Sequence, residues 1–158
     1  MILKWKSKYR GRRCRRLKNR ILAETIIVSI YCDIVLSILK RHTQLSINKL
    51  LFFCYILKKG KFNEKEIYTA KNSKDLILKC ISKLSGGFED YCNDIEYILK
   101  AIHLLLKNGD LIKEADKIIY NSKNNSSIYI ENKFIEKCIN NSDKITDRQF
   151  LKEIIHNV

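Results

Sequence analysis

The chain contains no proline and only five glycines among 158 residues. The main helix breakers are therefore absent or scarce, which predicts a helix-dominated fold with short connections. There is no glycine-rich phosphate loop, because the Gly86–Gly87 pair alone is too common to count as one. Closely spaced cysteine pairs are missing too. Cys14, Cys32, Cys54, Cys80, Cys92 and Cys138 are scattered, which excludes a zinc knuckle or a paired redox motif. Several fall within apolar helical stripes, where a free thiol behaves as a small hydrophobe. Reduced structural cysteines in a reducing cytosol are the expectation. No internal repeat, sustained heptad or small-residue cleavage site is found.

Catalytic constellations are equally scarce. The three histidines, His42, His103 and His156, fall in a turn, on a helix flank and near the C-terminus. Cys92 and His103 lie about three helical turns apart, too far for direct proton transfer within one helix. The acidic pairs Glu89–Asp90 and Asp94–Glu96 read as solvated faces. A non-enzymatic protein with no catalytic residue, metal site, cofactor or small-molecule substrate is expected.

Acidic residues are also missing from the first twenty positions, and here something takes their place: ten of the twenty are Lys or Arg. This arm supplies +10 of the formal +14, leaving only +4 for the rest of the chain. Six of the eight arginines lie in it, so a general Lys/Ile/Asn bias does not account for it. Arg10, Arg12, Arg13, Arg15, Arg16, Lys18 and Arg20 are the candidate polyanion contacts. Trp5 and Tyr9 are interleaved with the cations as stacking residues for nucleic acid. Anionic lipid or an acidic partner surface would suit the same charge. A solvated tail, or a start site upstream of the folded domain, are the bland readings. In a helix these cations would oppose the dipole of the first turns, so an arm that is irregular when unbound is expected, broken once at Gly11.

Residues 21–39, ILAETIIVSIYCDIVLSIL, are the most apolar stretch. Their polar positions Glu24, Thr25, Ser29, Asp33 and Ser37 trace one narrow stripe, the pattern of a helix buried on most of its circumference. Nineteen residues would cover about 28 Å, enough for a membrane span. The aliphatic gain of about 5 kcal/mol is nearly offset by Asp33 and Glu24, and the polar stripe favours a central core helix. A single-pass span over 21–39 is the third-ranked reading, and a membrane partner is not expected.

A turn over Arg41–Leu45 leads to a helix over Ile47–Lys59, capped by Ser46 and stopped by Gly60. A short helical turn at Asn63–Glu66 is expected, then a helix over Asn72–Leu84 ended by Gly86–Gly87. The helix over Phe88–Lys107 directs Ile95, Ile98, Leu99, Ile102, Leu105 and Leu106 inward and ends in a left-handed turn at Asn108–Gly109. Leu111–Ile112 and Ile118–Tyr120 form a hairpin, and residues 121–127 a loop. A further helix puts Phe134, Ile135, Cys138 and Ile139 on one face. The last is announced by a Thr146/Gln149 capping box with Ile145 and Phe150 as its staple. The expected fold is mainly α: a compact bundle of five or six helices with a small winged-helix-like β-hairpin near 111–120. It forms one domain over 21–158 behind the arm 1–20.

The stretch LLLKNGDLIKEADKIIYN looks like the end of a winged-helix module. The helix before it offers only Asn93 among the usual base readers and carries Glu89, Asp90, Asp94 and Glu96, which phosphate would repel. The shape is therefore expected to serve interaction rather than groove reading. From about residue 21 to 120, the series ILAETIIVSIYCDIVLSIL, LSINKLLFFCYILKKG, IEYILKAIHLLLKNGDL and IKEADKIIYN resembles the middle components of bacterial three-component (ABC-3C) systems. These are built around an ABC-type, recombination-repair-like ATPase. The resemblance is one of pattern, covers about two-thirds of the chain, and carries over no site residues. It implies a short helical adaptor in the cytoplasm, with an ATPase subunit or an effector subunit as partner, in a defence-related system. A nucleic-acid-binding protein acting through residues 1–20 is the competing expectation.

Overall fold

The computed structural model describes residues 2–60, 65, 70, 72–121 and 132–156, of which 2–17 are described as backbone. In chain order these form α1 (Ile2–His42), β1 (Gln44–Ser46), α2 (Ile47–Lys59), α3 (Ser73–Ile81) with a 3-10 turn at Ser82–Leu84, and α4 (Phe88–Lys107). Then follow β2 (Leu111–Glu114), β3 (Lys117–Tyr120), α5 (Lys133–Ser142) and α6 (Asp147–His156). The fold is mainly helical with one small antiparallel sheet, as expected. The helical turn at Asn63–Glu66, Lys65 apart, and the loop after Asn121 lie outside the described residues.

The central helix is α2, not the apolar stretch of α1. Every residue from Lys49 to Leu57 is buried, so α2 is covered on all sides. One side is covered by α1 and α4, the other by α5 and α6, on which α3 packs in turn. Aromatic rings lock the second layer: Phe150 of α6 stands edge-on to Phe52 at 5.2 Å and lies 6.0 Å from Phe53. In the first layer, Tyr31, Ile34, Val35, Ile38 and Leu39 of α1 are wholly buried with Ile98 and Ala101 of α4.

The hairpin is present, and a third strand joins it. Strand order is β1–β3–β2, with Leu45 opposite Ile118 and Glu114 opposite Lys117. Leu45, Leu111 and Ile118 are buried and seal one end of the core. Up to Tyr120 the order is helix–strand–helix–helix–helix–strand–strand. In the sequence Gln44 and Leu45 read as the end of the turn Arg41–Leu45 and Ser46 as a cap, because three residues are too few for an alternating pattern. Pairing with β3 makes them a strand.

Helix ends follow local chemistry closely. Gly60 takes the left-handed conformation at φ 64° and returns its N–H to Ile56. Gly109, at φ 80°, does the same after α4, with Asp110 N–H bonded to Leu105 O and Gly109 N–H to Leu106 O. The Thr146/Gln149 capping box forms in both directions at 3.3 Å. Ser46 is a correction: it stands at the cap position of α2, but its hydroxyl donates to Asp147 Oδ1 at 2.8 Å instead of capping.

That bond belongs to a polar clasp between α2 and the α5–α6 turn. Asn48 donates to Asp147 Oδ2 at 3.1 Å. Lys49, only 7% exposed, donates from Nζ to the carbonyls of Ser142 and Ile145, each at 2.8 Å. Asp147 Oδ1 lies 3.6 Å from the same ammonium. A buried cation is tolerated here because carbonyls at the end of α5 and a carboxylate replace its water.

The arm also departs from expectation. The backbone of α1 is helical from Ile2 to His42, through Gly11 and without an irregular segment. Extending an existing helix requires no new nucleus, and the packed part of α1 supplies one. Arg, Lys and Leu are good helix formers, and one interior glycine costs only about 1 kcal/mol. Dipole opposition is felt mainly in the first turn. From Ile2 onward no break in secondary structure separates these residues from the rest of α1.

Candidate interaction surface

Helix α1 outruns the bundle that holds it. Among the described side chains, its first buried one is Val28, while residues 18–23, 25 and 26 are exposed. Ile21, Leu22 and Ile26 are 56%, 62% and 53% exposed. The reading of 21–39 as a helix buried on most of its circumference thus holds only from Val28 onward. The aliphatic content of residues 21–27 outlasts the partners available to cover it.

Where α1 leaves the bundle, it forms with α4 an open apolar groove of about 940 Å³. Its walls include Ile21 and Val28 from α1 and Leu99 and Leu104 from α4. Leu99 was expected inward but is 44% exposed, and Leu104 is 46% exposed. Ile98, Ile102 and Leu105 of the same helix do face the core. The 3.6 period gives α4 more apolar positions than its contact with α1 and α2 can absorb.

Polar groups sit on the rim of this groove. Lys100 donates to Glu24 across it and to Glu96 one turn away at 2.7 Å. Hydrogen bonds to Glu24 and Glu96 raise the pKa of Lys100, and the bond to Lys100 lowers that of Glu96. His103 lines the edge of the groove and is exposed. Cys32 reaches into it, its thiol pushed up chiefly by burial.

Deeper along the α1–α4 contact, Tyr31 donates to Asp94 Oδ2 at 2.6 Å, and Lys58 of α2 donates to the same oxygen at 2.8 Å. The Lys58 ammonium also stands 4.7 Å over the Tyr31 ring. Three helices meet at one carboxylate. The expectation of a solvated acidic face fits Asp90 and Glu96, 67% and 70% exposed, but fails for Asp94, 19% exposed. Asp90 pairs with Lys59 at 3.2 Å.

Tyr31→Phe is expected to lower stability by about 1.5–3 kcal/mol, the net value of a hydrogen bond to a charged group. The check is a shift in the urea midpoint at unchanged slope. The same tyrosine sets an alkaline limit. Burial, then the hydrogen bond and charge of Asp94, raise the Tyr31 pKa, and burial pushes Tyr91 up to about 12 from 10.0. The unfolded chain releases these protons first. Stability is therefore complete below pH 10 and is lost as pH rises above it, through the folded values. A wild-type chain equally stable at pH 9 and pH 11 would contradict this (about one pH unit either side of the free tyrosine value).

The remaining candidates separate in space. Arg10, Arg12, Arg13, Arg15 and Arg16 lie on α1 before the groove, and Lys18 and Arg20 are exposed on it. Asn93 borders a smaller cavity of about 420 Å³ between α2 and α4, where Lys58 and Lys59 face Asp90 and Asp94. His42 Nδ1 lies 3.1 Å from Asn140 Oδ1, and His156 is exposed on α6. Cys54, Cys80 and Cys138 are buried, Cys32 is half-buried and Cys92 is exposed. Among the described residues, no three His, Cys, Asp or Glu side chains are grouped so as to hold a metal ion.

The groove was the site that sequence reasoning missed. Its signal was present in Leu99 and Leu104, two apolar residues beyond the stripe that α4 needs. Neither family models, curated proteins nor solved structures provide a match to this chain.

Proposed function

We propose that the protein is a non-enzymatic adaptor. In this reading it joins an ATPase subunit to an effector in a bacterial, defence-related multicomponent system, and it acts from the cytoplasm. The observation that supports this most is the α1–α4 groove, with Leu99 and Leu104 left facing solvent. An apolar floor with charges confined to the rim suits the apolar face of a partner helix. Both walls lie within residues 21–120, the stretch that carries the resemblance to middle components. In this reading the winged-helix-like part serves as a scaffold, because α4 is occupied by α1 and α2 on one side and carries ion pairs on another.

Inspection of the neighbouring genes for an ATPase subunit, followed by co-expression with it, tests the proposal; an isolated gene with no ATPase neighbour would count heavily against it. The two chains are expected to co-purify, and the double variant Leu99→Glu, Leu104→Glu is expected to weaken the complex at least tenfold, since it buries two unpaired charges. Both positions are exposed, so the fold survives. Failure of the wild-type pair to associate would remove the adaptor reading. Undiminished association of the variant would remove the groove.

A further inference from the structure

We infer that the N-terminal part of α1 is a peripheral anchor for an anionic membrane surface, separate from the partner groove. Two independent features of one helix meet here. The first is charge: ten cations and no acid lie between Lys4 and Arg20, on about 24 Å of continuous helix. The second is greasy surface: Leu22 and Ile26, one turn apart and just after the cations, are 62% and 53% exposed and do not line the groove.

Each feature alone is ambiguous, but their adjacency is selective. Nucleic acid would use the cations and leave Leu22 and Ile26 in water, because its backbone offers no aliphatic phase. A second copy would cover the aliphatics but bring another +10 to the same place. An anionic bilayer uses both, phosphates for the cations and acyl chains for the aliphatics. Stable peripheral binding needs two such signals.

The helix would lie on this surface rather than cross it. Lys18–His42 has the length of a span, and an 18-residue window within it has a mean hydropathy of 2.0. A crossing would, however, pull Tyr31, Ile34, Val35, Ile38 and Leu39 out of the core and break the Tyr31–Asp94 bond. Before Val28 no described side chain is buried; Ile27 packs only partly against the core, and Glu24 is held by Lys100 at the surface.

The test uses the full chain with vesicles of phosphatidylglycerol and phosphatidylcholine in equal parts, beside vesicles of phosphatidylcholine alone. Flotation measures binding, and the fluorescence of Trp5, the one tryptophan, reports entry into the interface. Binding to the mixed vesicles, a blue shift of Trp5 and loss of binding with added salt are expected. Each Lys or Arg near the surface is worth about fivefold in partitioning, so replacing Arg10, Arg12, Arg13, Arg15 and Arg16 by Gln costs at least a hundredfold. Leu22→Ser with Ile26→Ser costs about tenfold or more at unchanged helicity. No binding to the mixed vesicles, or equal binding to the neutral ones, overturns the inference. So does a duplex oligonucleotide that binds more tightly than vesicles and ignores the Leu22/Ile26 variant. A lipid-free dimer that the same variant dissociates overturns it too, by assigning the aliphatics to a second copy. The adaptor reading is untouched by these outcomes, because its test rests on Leu99 and Leu104.

Discussion

Phe150→Ala is expected to lower the free energy of unfolding by about 3–5 kcal/mol. The ring is wholly buried on α6 and meets Phe52 at 5.2 Å and Phe53 at 6.0 Å. Truncation removes its transfer energy and leaves a cavity against α2, whose neighbouring residues are themselves fully packed and have little room to collapse inward. A domain of this size has about 5–15 kcal/mol in total, so the variant is expected to lose a large share of it. Ile155→Ala, on the same helix but 72% exposed, is the control and should change stability by no more than about 0.5 kcal/mol. Urea unfolding of both variants measures the difference. If the two lose equally little, α6 is not docked through its aromatic residue.

The second large effect is at Lys49. Lys49→Ala is expected to cost about 3–5 kcal/mol, the range for breaking a buried pair from one side. It leaves Ile145 O without this donor, Ser142 O with only the Ile145 N–H and Asp147 without this cation, while Ser46 and Asn48 still hold the carboxylate. Lys49→Met fills the volume but not the hydrogen bonds, and should recover only the packing part. Hydrogen exchange separates a local from a global effect. The first amides of α6 should lose protection most if the clasp holds that helix against α2. Uniform loss along the chain would mean that Lys49 acts through general packing alone.

Much of the fold can be read from local signals. Gly60 and Gly109 mark two helix ends because each helix needs a left-handed residue to close its last carbonyls. Thr146 and Gln149 mark a start because both can return bonds to the backbone within one turn. Phe134, Ile135, Cys138 and Ile139 are buried, as their spacing demands. The hairpin at 111–120 was legible from two short β-prone pieces around a polar turn, its pairing completed by Glu114 opposite Lys117.

The misreadings share one cause, which is competition between elements for cover. Both α1 and α2 are rich in aliphatics, and neither sequence says which will be surrounded. Once α2 takes the centre, α1 is left with more apolar length than partner, and Ile21, Leu22 and Ile26 stay in water. Leu99 is exposed by the same shortfall on α4. Asp94 looked like surface until Tyr31 and Lys58 converged on it from two other helices. Lys49 is buried only because carbonyls at and just after the end of α5 accept from its ammonium.

By itself, then, the sequence determined the helical class, most helix ends, the hairpin and the concentration of charge before residue 21. These follow from backbone chemistry and composition, which act over a few residues. Tertiary structure alone decided that α2 is the centre and that residues 44–46 pair with β3. It also decided that the cations are strung on a helix continuous with the core, and that an apolar groove opens between α1 and α4. Those features depend on which surfaces residues far apart in the chain cover for one another, and no local pattern encodes how much cover each helix receives.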